Sequence, residues 1–99
     1  MSAFTVTSSQ IRAKASELRS LNGQFKSQCG TLESTEGTLN SQWEGEANTA
    51  FHNAFLTDKA KFEEFYNLIE KYCVALEEIA AKYEEAESRN ADTASRRTY

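Results

Sequence analysis

The chain has 99 residues, 39% of them hydrophobic, and a formal charge of −4 from 11 Lys/Arg against 15 Asp/Glu. A single domain of this size, residues 1–99, buries roughly two thirds of the surface its unfolded chain exposes, which leaves little room for an enclosed active-site chamber and argues against a large enzyme. Four glycines and no proline argue against a β-sandwich, a collagen-like chain or a proline-rich linker, and net acidity without a Lys/Arg cluster argues against a nucleic-acid partner.

The opening residues Met-Ser-Ala-Phe-Thr-Val-Thr lack a basic region followed by an apolar core, so no cleavable signal peptide is expected. No apolar run approaches the ~20 residues that a membrane span requires, and no stable membrane insertion is expected.

Thr7 opens a Thr-Ser-Ser-Gln sequence in which a hydroxyl at the N-cap and Gln10 at N3 can satisfy each other's free amides, which predicts a helix start. From there Ile11, Leu18, Phe25, Leu32 and Leu39 recur at every seventh position, with Ala15 and Cys29 four residues after two of them. The first helix is expected over about 7–41, with Asn22 and Glu36 at the edges of its apolar stripe. Opposite that stripe runs a row of small residues that includes Gly23, Gly30 and Gly37. Each glycine costs a helix about 1 kcal/mol relative to alanine. A close-packed partner helix would reward them; a solvated polar face is the alternative.

Residues 40–46 interrupt the pattern with a glycine and several turn-forming residues, which predicts a tight interhelical turn. Beyond it a 4,3 alternation runs through Phe51, Phe55, Asp58, Phe62, Phe65, Ile69, Tyr72, Leu76, Ile79 and Tyr83, which predicts an unbroken second helix over about 46–88. Residues 88–99 lose the period and are expected to form a loose tail. The fold class is therefore all-α, an antiparallel helix-turn-helix hairpin. Leu68, Val74 and other apolar residues beside the seam would be covered by self-association into a four-helix bundle. Gly23, Gly30, Gly37, Leu68 and Val74 are the candidate dimer-interface residues.

Cys29 and Cys73 lie at unequal distances from the bend, a mismatch of ~20 Å along the helix axes against a Cα limit of ~7 Å for a disulfide, which predicts two free thiols. His52, the only histidine, has neither cysteine at helical spacing, so neither a metal site nor a Cys-His dyad is expected. No phosphate loop, catalytic carboxylate pair or nucleophile elbow occurs, and no cofactor is expected. Glu77, Glu78, Glu84, Glu85 and Glu87 read most simply as a solvated acidic face, the alternative being a docking site for a basic receptor.

The most informative stretch is Trp43-Glu44-Gly45, which extends to Trp43-x-Gly45-x-Ala47-x-x-x-Phe51 at the bend between the two helical patterns. Glycine adopts the backbone angles of a tight reversal, and the single tryptophan can close the hairpin end while keeping an indole edge for a partner. In these residues the chain resembles the WXG family of hundred-residue proteins, the early secreted antigenic target-like substrates of type VII secretion. Tyr83-Glu84-Glu85-Ala86-Glu87 agrees with that family's C-terminal export pattern, Tyr-x-x-x-Asp/Glu. Tyr83 and Glu87 lie one helical turn apart, on one face.

The resemblance implies a non-enzymatic protein exported as a folded dimer by a type VII machine, with the secretion ATPase and its membrane complex as partners. It would be cytoplasmic before export and extracellular after it, by a route independent of a signal peptide. Its role would be substrate, export adaptor or effector, the last a virulence factor. Trp43 and Gly45 would form the partner-binding turn, and Tyr83 and Glu87 the C-terminal secretion signal. Gly45 and Tyr83 are separated by ~57 Å of one helix, so an antiparallel dimer is needed to bring the two motifs together. Both motifs in one chain favour a homodimer over a heterodimer with a paralogue. The competing reading is a cytoplasmic chaperone or targeting partner for a larger secreted toxin.

Overall fold

The computed structural model describes residues 6–96 as two helices, α1 (Ser8–Gln42) and α2 (Glu46–Arg96), joined by three residues. No strand occurs among the described residues. The helices have 35 and 51 residues and fold back on each other into a rod of 84 × 20 × 15 Å.

Helix α1 begins where its side chains can satisfy its free amides. Thr7 Oγ1 accepts from the Gln10 amide at 3.1 Å, and the Thr7 amide donates to Gln10 Oε1 at 2.9 Å, a reciprocal capping box. The helix ends at Trp43, whose backbone is extended at φ −120° and ψ 112°. Gly45 follows with φ +120°, a conformation that side-chain-bearing residues rarely adopt, and its carbonyl accepts the first α2 bond from Thr49.

Helix α2 does not stop near Ser88. It continues to Arg96, so residues 88–96 are helical where a loose tail was expected, and residues 97–99 of that segment lie outside the described residues. The apolar period is lost after Ser88, but the helix is not. Alanine and arginine, at Arg89, Ala91, Ala94 and Arg96, are strong helix formers and favour helical backbone here.

The seam between the helices coincides only in part with the apolar stripe that the periodicity picks out: Ala15 is buried and Ile11, Leu18, Phe25 and Cys29 are half-buried, but Leu32 and Leu39 are exposed. On α1 the buried positions are Ser8, Ala15, Asn22 and Glu36, with Cys29 half-buried between them. Asn22 and Glu36 are therefore central to the seam rather than at its edges, with 3% and 6% of their surface exposed. On α2 the buried residues, among those described, are Asn48, Cys73 and Ala80. Six of the ten expected α2 seam positions lie off the contact line: Asp58 is exposed, and Phe51, Phe65, Tyr72, Ile79 and Tyr83 keep 43–50% of their surface exposed. The physical reason is one of phase. Periodicity reveals an apolar face, but small residues are what let two helix backbones approach, so Ala15, Cys73 and Ala80 take the centre and the large residues stand to one side.

Both cysteines are free. A Cβ added at Gly23, Gly30 or Gly37 meets nothing within 4 Å, so no close helix approach within the chain explains these glycines.

Candidate interaction site

Two unlike flanks border the seam. On one side, the seven-residue spacing places Leu18, Phe25, Leu32 and Leu39 of α1 in a row, and Phe51, Phe65, Tyr72 and Ile79 of α2 in another. The rows meet where the Phe25 ring packs edge-on to Phe65, with centroids 5.2 Å apart, and to Phe62 at 6.3 Å. The result is a half-exposed apolar strip along the rod. Trp43 closes its turn end by resting on Phe51, with ring centroids 6.0 Å apart. Tyr83, 11 residues after Tyr72 and so only about 20° around the helix from it, lies at the other end.

The opposite flank is ionic. Arg12 forms a forked pair with Glu84, at 2.7 and 2.6 Å. Arg19 bridges Glu70 at 2.7 Å and Glu77 at 3.0 Å, and Lys59 pairs with Glu33. Glu77 and Glu84 are thus fastened to α1 rather than forming a free solvated face. Hydrogen bonding from Arg12 holds the Glu84 carboxyl below its ordinary range, and the same contact raises the Arg12 guanidinium. Glu33 raises Lys59 in the same way. Between the helices on this side, a groove of about 410 Å³ is lined by Phe55, Phe62, Cys29 and Gly30, with Lys26 and Lys59 at its rim.

The sequence-expected residues divide between the two ends. Trp43 and Gly45 sit together at the turn, and Tyr83 and Glu87 sit at the far end of an unbroken α2. Within one chain nothing brings the pairs together. Tyr83 is half-exposed, but Glu87 is engaged: its Oε1 accepts from the Ser8 amide at 3.2 Å, where the free N–H groups of α1 favour a negative charge. Gly23, Gly30, Gly37, Leu68 and Val74 do not share one face. The glycines lie roughly 120–160° around α1 from Phe25. Leu68 adjoins Phe65 and Tyr72, whereas Val74 lies about 120° from Leu68, on the ionic side.

Sequence reasoning missed three groups. Asn48, 8% exposed, donates from Nδ2 to the Trp43 carbonyl at 2.5 Å and to Asn40 Oδ1 at 2.8 Å. Asn22 Nδ2 reaches the Tyr66 carbonyl at 3.0 Å and Glu70 at 2.8 Å. His52 Nδ1 stands 2.8 Å from Glu36 Oε2. The signal that could have centred Asn22 and Glu36 is a heptad of its own: Ser8, Ala15, Asn22, Cys29 and Glu36 are spaced by seven, like the apolar row beside them, whereas no comparable pattern marks Asn48.

Among the described residues, no helix is long and apolar enough to cross a membrane, and no group of three His, Cys, Asp or Glu is placed to hold a metal ion.

Comparison with known proteins agrees with this geometry. The selenomethionine crystal structure of EsxB, a secreted protein of Bacillus anthracis str. Sterne, has the same fold, with a TM-score of 0.77 at 23% identity over 88% of this chain and 99% of that one. The wild-type EsxB crystal gives 0.76 at 24% identity, over 85% of this chain and 97% of that one. A search of curated protein sequences returns no match. The profile described as proteins of 100 residues with WXG matches residues 3–88, which takes in the Trp43-x-Gly45 turn, both arms of the hairpin and the Tyr83–Glu87 turn. The chain belongs to the WXG100 family.

Proposed function

We propose that this protein is a non-enzymatic type VII secretion substrate that leaves the cell as a folded dimer, with Trp43, Gly45, Tyr83 and Glu87 forming its recognition elements. The observation that carries the reading is the single apolar strip with Trp43 at one end and Tyr83 at the other. A second copy laid antiparallel on that strip covers Leu32, Phe65, Tyr72 and Ile79 in both protomers. It also brings Trp43 of each chain beside Tyr83 of the partner subunit, so that one receptor can contact both motifs. Membership of the WXG100 family supports the reading, as does the description of the structurally similar EsxB as a secreted protein.

Before export the dimer is cytoplasmic, and it is handed to the secretion ATPase and membrane machinery without a signal peptide. Outside, it acts as an effector or as the adaptor of a co-exported partner. The test is an assay of culture supernatant from the producing bacterium for wild type, Trp43→Ala and Glu87→Ala, with helicity checked by circular dichroism. Loss of export with helicity intact supports the reading. Normal export of both variants overturns it, and obligate co-purification with a larger protein favours a chaperone role instead.

A further inference from the structure

The end of α1 lacks the usual means of satisfying its last carbonyls. A helix C-terminus commonly closes through a residue with positive φ at the position after the cap. Here Trp43 is the cap and is extended, and Gly45, two residues on, is the only described residue with positive φ. The carbonyls of Asn40 and Trp43 are therefore left to other donors. One side chain supplies them. Asn48, at the third position of α2, directs Nδ2 at Trp43 O (2.5 Å), Asn40 Oδ1 (2.8 Å) and Asn40 O (3.3 Å). Its own Oδ1 is buried with no partner, so the contact is worth an unsatisfied acceptor on the other side of the amide.

We infer that Asn48 is a positioning residue for partner recognition: by bonding the Trp43 carbonyl to the end of α1, it sets the pose in which the indole rests on Phe51 and faces a partner. The inference rests on the reading that Trp43 is a recognition element. The alternative is that Asn48 contributes only hairpin stability, as Asn22 does from the middle of the seam, far from the tryptophan.

Asn22→Ala is therefore the control. Asn48→Ala and Asn22→Ala each remove a buried amide, so both lower the melting temperature. Only Asn48→Ala is expected to shift the emission of Trp43 in the folded protein and to cut the exported fraction about tenfold, the scale of one lost anchoring contact. Asn40→Ala keeps Asn48 but removes one acceptor. It is expected to shift the emission part of the way, and it provides the test if Asn48→Ala does not fold. Unchanged Trp43 emission in the folded Asn48 or Asn40 variant overturns the inference, as does export of Asn48→Ala at the level of Asn22→Ala. If Trp43→Ala itself is exported normally, the recognition reading fails, while the emission measurement still decides whether Asn48 sets the indole.

Discussion

Glu36 and His52 face each other across the seam about two helical turns inside the Trp43 bend, with the carboxylate 6% exposed and the imidazole Nδ1 2.8 Å from it. An acidic side chain at the centre of a two-helix contact is costly unless it is paired. Replacing His52 by Ala strands the carboxylate. The expected loss is about 2–3 kcal/mol, less than the full cost of breaking an enclosed pair because His52 keeps a third of its side chain in solvent. Replacing both residues by Leu is expected to return stability to within about 1 kcal/mol of wild type. Urea unfolding of His52→Ala and of the double Leu variant checks this, and a double variant as unstable as His52→Ala would contradict the pairing.

The second polar residue of the seam acts by direction as well as by presence. Asn22 donates to a backbone carbonyl and to the Glu70 carboxylate, and Arg19 holds the same Glu70 from outside. Asn22→Ala removes the donor and is expected to cost about 1–3 kcal/mol. Asn22→Asp keeps the shape but presents an acceptor to two acceptors, so it is expected to cost more than alanine at neutral pH. Denaturant midpoints of the two variants decide the order; equal midpoints would mean that shape, not donation, holds the position.

These two residues also mark the boundary of what was legible in the sequence. The helices, their antiparallel return and the Thr7–Gln10 cap follow from period and local chemistry, because each is a short-range property of the chain. The phase of the seam is not short-range. Leu18, Phe25 and Leu32 define a hydrophobic face, but they cannot say whether the partner helix meets its middle or its edge. That is settled by where the small residues fall: Ala15 on one helix and Cys73 and Ala80 on the other are the buried ones, and small side chains allow close approach. Likewise Glu84 reads as solvated until the hairpin register puts Arg12 opposite it, 72 positions away. At the turn, Trp43 and Gly45 were visible as a motif. Asn48 was not, because its partners are carbonyls exposed only by the way α1 ends.

The Arg12–Glu84 fork makes stability depend on pH in a defined direction. Arg12 lowers the folded-state value of Glu84 below its unfolded value. The contact therefore contributes fully above the unfolded carboxylate range and is lost as pH falls through the lowered folded value. Both groups are solvent-exposed, so the effect is small and sensitive to salt. Unfolding midpoints of wild type and Glu84→Gln should differ at pH 7 and converge as the pH is taken down through the acid limb. Parallel curves would remove Glu84 from the acid response.

The apolar strip gives the most direct test of assembly. Phe65 stands in its centre, against Phe25, and is 48% exposed in the single chain, while Val74 is equally exposed on the ionic side of the same helix. A charge placed at a buried interface centre loses the anchor and must also be desolvated, a combined effect of at least ~2 kcal/mol, or about 30-fold in dimer dissociation constant. Phe65→Glu is accordingly expected to yield monomer in sedimentation equilibrium at concentrations where wild type is dimeric, and Val74→Glu to leave the dimer intact. The comparison also locates the face. If Val74→Glu dissociates the protein and Phe65→Glu does not, association uses the side that carries Gly30 and the salt bridges, and the alignment of Trp43 with Tyr83 of the partner subunit is lost.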